Sequence, residues 1–377
     1  GISRQQTAET LRSLECEVSD DNGVLVVRPP SFRPDLTREI DLIEEVARIF
    51  GYDRIPAADR VSGGLGVEEL PQHLLVEHIR ELLIASGLTE VVTSSLADPE
   101  ALRTVEPDIE PISLSNPASR EMSALRSTLV SSLLEVVCWN LNRKAQTVKI
   151  FEVGKVFFPA EDSTATERLQ IGGALTGQRR EQHWEQKDCQ VDFFDTKGIL
   201  QTVLGETISG KLAVKAICCP CYQEGEAVQL LLNNDILGTF GRVAPQVLTR
   251  FQIKQPVYIF TLEFDSLLRH WQREKKFWPL PRYPAAQRDI AVVVDEQVET
   301  EHIVQTIEAV DPRLIELVEL FDIYRGDQIP RGKKSLAFSL IFRSPEATLS
   351  EAKVEKFFQK IVNRLRKEFN AQLRSQE

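Results

Sequence analysis

The last hundred residues of the chain constrain its fold most. Between residues 350 and 369, Val354, Phe357, Phe358, Ile361, Val362, Leu365 and Phe369 recur at helical spacing and fall on one face. Ahead of that helix the period changes. Residues 289–294 read as a strand, 301–310 as a helix, and 314–324 and 335–342 as strands. A short strand at 371–373 completes the order βαββαβ, the ferredoxin-like split motif. Pro279, Pro281 and Pro284 form a stiff joint in front of this unit.

A chain of 377 residues holds about two or three domains. The first unit, residues 1–70, starts with a helix at 2–14 that Ser3 can cap and that places Ala8, Leu11 and Leu14 on one side. No strand or turn precedes it, so the opening reads as a cut in something longer. A strand at 23–28 and a proline-broken stretch, Pro29 to Pro34, lead to a helix at 36–50. Its expected core stripe is Ile40, Ile43, Ala47 and Phe50, and Gly51 ends it. Residues 56–66 read as a linker. The second unit, 71–277, has helices at 74–86, 125–141 and 192–204. Its strands are read at 91–93, 147–153, 156–158, 171–176, 213–218 and 257–264, with a hairpin turning at Asn233-Asn234-Asp235. A mixed sheet with helices packed on it is the expected architecture.

Composition removes several classes of function. With 45 basic and 56 acidic residues the net charge is −11, so the chain is no polycation that coats nucleic acid. Charges interrupt every apolar run before the roughly 20 residues a bilayer needs. The first residues lack the basic start and apolar stretch of a signal peptide. Six cysteines and five histidines form neither a disulfide scaffold nor a zinc pattern, which suits a cytoplasmic protein with reduced thiols. Ser62-Gly63-Gly64-Leu65-Gly66 is not a dinucleotide fingerprint, and neither a phosphate loop nor a nucleophile elbow is present. No complete active site is legible.

Two charge constellations stand out. Asp41, Glu44 and Glu45 are spaced i, i+3 and i+4, so they share one side of a helix, and Asp35 is expected at its start, where the macrodipole favours an anion. Carboxylates gathered this way need a positive partner. That partner is either a hard divalent cation or the arginines Arg38 and Arg48. In the last unit, residues 282–324 carry three basic and ten acidic residues, and residues 325–374 carry twelve basic and five acidic. The basic half is either a phosphate-binding footprint or a solvated helix face.

Several long motifs, in order, carry a resemblance over nearly the whole chain. They are Arg28-Pro29-Pro30-Ser31-Phe32-Arg33-Pro34-Asp35 running on to Gly51-Tyr52-Asp53-Arg54-Ile55-Pro56, then Leu114-Ser115-Asn116-Pro117 with Leu125-Arg126-Ser127-Thr128-Leu129, and then Phe151-Glu152-Val153-Gly154. Arg282-Tyr283-Pro284, Arg288-Asp289-Ile290-Ala291, the stretch Phe321 to Gly326 and the stretch Lys333 to Phe338 complete the series. The chain resembles the beta subunit of bacterial-type phenylalanyl-tRNA synthetase, in its carboxyl-terminal half.

The resemblance implies an α+β multidomain chain. Residues 1–70 would be a winged-helix-like magnesium-binding domain truncated at its start. Residues 71–277 would be a class II synthetase-like, non-catalytic core, and 278–377 a ferredoxin-fold anticodon-binding domain. The family's oligonucleotide-binding-fold and editing domains have no counterpart here. The family's four acidic magnesium positions fall on Asp35, Asp41, Glu44 and Glu45, which favours Mg2+ over the arginine reading. Catalysis would lie on the alpha subunit of an alpha2beta2 heterotetramer, which binds ATP and phenylalanine and charges tRNA-Phe. A class II site holds phosphate with an arginine followed two residues later by glutamate, whereas Arg126 is followed by Ser127 and Thr128. The helices at 74–86 and 125–141 are candidates for docking alpha. Arg325, Lys333, Lys334 and Arg343 are the candidate tRNA contacts. A standalone RNA-binding scaffold without aminoacylation is the alternative reading. A metal-dependent enzyme built on the four carboxylates is a third, and it lacks any neighbouring nucleophile or base.

Overall fold

A computed structural model describes residues 1–57, 63, 66, 68–160, 165–180, 184, 189–274, 277, 279–326 and 328–374. Most of the expected linker at 56–66 lies outside them. The chain divides into two compact units, Gly1–Trp271 and Gln272–Glu377.

The first unit opens with α1 (Arg4–Ser13). Ser3 caps it, and Gln6 closes the capping box back onto the Ser3 amide. A hairpin follows, β1 (Glu17–Asp21) and β2 (Val24–Arg28), turning on Asn22 and Gly23, both at positive φ. Then comes α2 (Glu39–Phe50). Two expectations are corrected here. The helix starts three residues later than the sequence suggests, so Asp35 is not at its N-terminus. Asp41, in its first turn, supplies the anion instead, accepting hydrogen bonds from the Thr37 and Arg38 amides. The expected stripe is also not the core face. Ile40 and Ile43 are more than half exposed, while Leu36 and Val46 join Leu11 and Cys16 in a small core against which Leu42 packs. Ile43, Ala47 and Phe50 instead line an apolar groove of about 720 Å3 with Ile2, Val24 and Leu25.

The rest of this unit begins with α3 (Pro71–Ala85), β3 (Thr89–Glu90), β4 (Leu96–Ala97), α4 (Pro99–Val105), β5 (Ala124–Leu125) and α5 (Val130–Leu141). It continues with β6 (Val148–Pro159), β7 (Ala165–Thr176), α6 (Phe193–Thr207), β8 (Ala213–Ala216), β9 (Tyr222–Leu232) and β10 (Asp235–Val243). It closes with α7 (Pro245–Arg250), β11 (Val257–Glu263) and α8 (Phe264–His270). Among the described residues one sheet runs in the order β3-β6-β7-β11-β10-β9-β8, parallel at β3–β6 and antiparallel elsewhere. Strand alternation sends Phe151, Ile171, Phe260 and Leu262 to one side, against α3, α6 and α8. It sends Val148, Ile150, Ala174 and Ile259 to the other, against α4, α5 and α7. Two cores therefore flank one sheet. In β7 a Cβ at Gly173 would lie 2.2 Å from the Phe260 ring, and one at Gly172 would lie 3.0 Å from Leu129 and Leu133.

The β-branched run at 91–93 is not a strand, since pairing stops at Glu90 and Val92 is 89% exposed. The helix expected from 125 begins at Val130, because Arg126, Ser127 and Thr128 turn inward as a buried loop. The strands expected at 147–153 and 156–158 are one strand, β6. The hairpin at Asn233–Asn234 forms as the sequence indicates, with both residues at positive φ.

The second unit holds β12 (Ala286–Asp295), α9 (Thr300–Glu308), β13 (Ile315–Tyr324), β14 (Lys333–Phe342), α10 (Glu351–Phe369) and β15 (Gln372–Leu373). The sheet order is β13-β14-β12-β15, all antiparallel, which is the expected βαββαβ arrangement. Ile290, Val292, Val294, Leu336, Phe338, Leu340 and Phe342 pack against Ile303, Ile307, Val354, Ile361 and Leu365 of α9 and α10. The alternate residues, Asp289, Ala291, Ala337, Ser339 and Glu319, form the other face.

Candidate functional site

Three of the four acidic positions are held by arginines. Arg33, in the proline-rich loop, binds Asp35 in a fork, Nε to Oδ1 at 3.0 Å and Nη2 to Oδ2 at 2.7 Å. The same guanidinium lies 3.1 Å from Glu45 Oε1, and Arg48 Nη2 donates to Glu45 Oε2 at 2.6 Å. Arg48 and Arg33 together hold the buried Glu45 carboxyl down to about 2. The Arg38 and Thr37 amides hold Asp41 below the usual carboxylate range, and Arg33 does the same for Asp35. Glu44 is exposed on the helix.

Among the described residues no three acidic, histidine or cysteine side chains converge as metal ligands. As placed, the four carboxylates do not converge on one point. Asp35 and Glu45 share an arginine, Asp41 is turned to the backbone, and Glu44 points to solvent. Arg38 and Arg48 follow from helical spacing, whereas Arg33 comes within reach of Glu45 only through the loop's closure onto α2.

In the larger sheet, Arg126 occupies an interior site. It is 2% exposed, and its Nη1 donates to Thr93 Oγ1 at 2.7 Å and to Glu152 Oε1 at 2.9 Å. Its Nε donates to the Lys155 carbonyl at 2.9 Å. Glu152 is equally buried and also accepts from the Thr93 hydroxyl at 2.6 Å. A Cβ at Gly154 would lie 2.4 Å from the Arg126 guanidinium, so the strand must carry glycine there. The cation that could have met a phosphate is consumed by the protein itself.

Beside it is a group that no motif or spacing marks. Glu106, at the end of α4, accepts a hydrogen bond from Ser127 Oγ at 2.7 Å, and burial pushes its carboxyl up to about 7. Both candidate docking helices turn their apolar rows inward, since Leu75, Ile79, Leu83, Leu133, Leu134 and Val137 are fully buried. Trp139 and Val92 stay outside and border a groove with Val136.

The four candidate RNA contacts are not one patch. Arg325 pairs with Glu296 at 2.9 Å, Lys333 with Asp295 at 3.5 Å and Arg343 with Glu316 at 2.7 Å, while Lys334 is 9% exposed. Lys333 and Arg343 stand at opposite ends of β14, about 30 Å of strand apart. Sequence reading missed Arg374, whose guanidinium sits 4.7 Å from the centre of the Tyr324 ring on the sheet face away from the helices. The strand alternation that puts Tyr324 opposite Ser335 was the available signal.

Comparison with known proteins agrees with this architecture. The profile of the phenylalanyl tRNA synthetase beta chain CLM domain matches residues 55–264, more than half of the chain. The chain belongs to the phenylalanyl tRNA synthetase beta chain family. The profile of the tRNA synthetase B5 domain matches residues 1–52, and that of the ferredoxin-fold anticodon binding domain matches 281–374. The phenylalanine–tRNA ligase beta subunit of Syntrophotalea carbinolica is 37% identical over 93% of this chain and 44% of its own length. That of Geobacillus kaustophilus is 35% identical over 99% of this chain and 47% of its own length. The chain thus spans about half the length of the curated relatives it matches. A pyrrolysyl tRNA synthetase of Desulfitobacterium hafniense is similar over 52% of this chain and 67% of its own at 18% identity, with a TM-score of 0.38. Among the described residues no helix is long and apolar enough to cross a membrane.

Proposed function

We propose that this chain is the docking and RNA-holding part of a phenylalanine–tRNA ligase, and that its partner, the alpha subunit, performs the chemistry. In this reading the assembly is an alpha2beta2 heterotetramer of the cytoplasm. The alpha subunit binds ATP and phenylalanine, forms the adenylate and passes the acyl group to tRNA-Phe. The chain divides into a magnesium-associated module at 1–70, a non-catalytic core at 71–277 and a tRNA-binding module at 278–377.

The observation that carries the reading is the Arg126–Glu152 pair. A sheet able to hold ATP needs a free cation aimed at phosphate, and here the buried arginine is saturated by a carboxylate, a hydroxyl and a carbonyl. The groove beside Trp139 and Val92 is the candidate contact for alpha. Arg325, Lys333, Lys334 and Arg343 are candidate RNA contacts, three of which must exchange an acidic partner for a phosphate. ATP–pyrophosphate exchange driven by phenylalanine should be absent with this chain alone and present with alpha. The two chains should also co-sediment. Exchange by this chain alone, or no association with alpha, overturns the proposal.

Magnesium at Asp35, Asp41, Glu44 and Glu45 is part of the same proposal, with Arg33 as its competitor. Removing a positive charge that bridges two of the four carboxylates should favour a cation. Arg33→Gln is expected to tighten Mg2+ binding about tenfold by isothermal titration, about 1.4 kcal/mol. Arg33→Gln with Asp41→Asn should lose that gain. Equal affinity in unmodified chain and Arg33→Gln would remove these residues from the metal's binding.

A further inference from the structure

α10 has two unlike faces. Val354, Ile361, Val362 and Leu365 are buried against the sheet. At about 100° per residue, Lys353, Lys356, Lys360, Arg364 and Lys367 lie on the outer side within an arc of about 80°. Glu351, Glu355 and Glu368 all fall outside that arc. The stripe is about 21 Å long, with about 5–6 Å between neighbouring cations. The four lysines are exposed. Arg364 pairs with Glu368 at 2.9 Å, and the Lys360 ammonium rests 5.0 Å from the Phe357 ring centre. Among the described residues Lys353, Lys356 and Lys367 have no acidic partner within ion-pair distance.

This contrasts with the rest of the unit, where Arg325, Lys333 and Arg343 are each paired with a carboxylate. The sheet face away from the helices carries Asp289 and Glu319 on either side of Ser339, which repels phosphate across its middle. In a chain of net charge −11 a row of unneutralised lysines is complementary to a polyanion. Regular single charges with no exposed aromatic among them suit a sugar-phosphate backbone and give no means of reading bases.

We propose that the outer face of α10, through Lys353, Lys356, Lys360 and Lys367, is the surface on which the phosphodiester backbone of an RNA lies. The proposal deepens the tRNA-binding reading above and rests on it. The stripe supplies sequence-independent grip.

The test uses the 377-residue chain, with affinity for tRNA-Phe and for an unrelated tRNA measured by fluorescence anisotropy across a salt series. The variant carries Lys353→Gln, Lys356→Gln, Lys360→Gln and Lys367→Gln, all at solvated positions, with circular dichroism to verify the fold. It should bind at least tenfold more weakly at low salt, by the same factor for both RNAs. The slope of log affinity against log salt should fall by about 3 in magnitude. The matching four-arginine variant should bind like the unmodified chain. Full binding by the glutamine variant overturns the assignment to α10 while leaving the tRNA-binding reading intact. No RNA binding by the unmodified chain overturns both. A glutamine variant that binds RNA normally but no longer associates with the alpha subunit makes the stripe a protein-docking surface and overturns the proposal.

Discussion

Replacing Arg126 with alanine is expected to lower the stability of the first unit by about 3–5 kcal/mol, the cost of leaving a buried carboxylate without its partner. Glu152 is 2% exposed and cannot recover water without opening the sheet. The Thr93 hydroxyl and Lys155 carbonyl lose a donor in the same step. Arg126→Met together with Glu152→Leu removes both charges and should lose far less, because an apolar pair of similar volume needs no desolvated ion. Guanidinium unfolding with an unchanged slope measures both variants. A single variant that unfolds within 1 kcal/mol of the unmodified chain would show that the pair is not the interior anchor described here.

The second large effect runs against intuition, since removing a hydrogen-bonded carboxylate should stabilise the fold at alkaline pH. In the unfolded chain Glu106 ionises near 4.5, and in the folded unit burial pushes it up to about 7. Below 4.5 both states hold the proton, and its contribution to stability is fully present. Between 4.5 and 7 the unfolded chain releases the proton first, so the folded state loses about 3 kcal/mol as pH rises through that window. Ser127 faces the carboxyl as a donor, and the Glu263 carboxylate adds repulsion. Cys221 and Tyr222 are also close, and burial raises the Cys221 thiol and the Tyr222 phenol further, so both stay neutral there. Glu106→Gln keeps an oxygen for Ser127 and carries no charge. It should match the unmodified chain at pH 4 and exceed it by up to about 3 kcal/mol at pH 8. Parallel stability curves for the two proteins across pH 4–8 would refute the assignment.

The legible parts of this chain were those set by local rules. The α10 apolar row, the Asn233–Asn234 turn and the Ser3 cap each depend on a few neighbouring residues, and each forms as expected. The errors lie where distant packing overrides local preference. Val91-Val92-Thr93 has strand composition, yet after the Val91 amide bonds the Phe151 carbonyl the segment leaves β6, and Thr93 turns its amide and hydroxyl to the Glu152 carboxylate. Leu36 to Arg38 have helix-compatible spacing, but the Asp41 carboxylate stops the helix at Glu39 by taking the two preceding amides. The acidic residues of the candidate magnesium site could be listed from spacing alone. The hand that holds them could not, because Arg33 is twelve positions from Glu45 and reaches it only after folding. Glu106 had no sequence signal at all, since its shift comes from enclosure and from Glu263 on a strand more than 150 positions away.

The adjacent glycines of β7 make the two cores of the larger sheet neighbours across a single layer of backbone. Phe260 presses on Gly173 from one side, and Leu129 and Leu133 press on Gly172 from the other. Elsewhere side chains hold the two helical layers apart and let each adjust by itself. At this waist they cannot, so enlarging a residue on one side moves peptide groups that the other side already touches. Substitutions at Phe260 and Leu133 should therefore combine non-additively despite belonging to separate clusters. The sheet at that point works less as a wall between two interiors than as a shared membrane through which each feels the volume of the other.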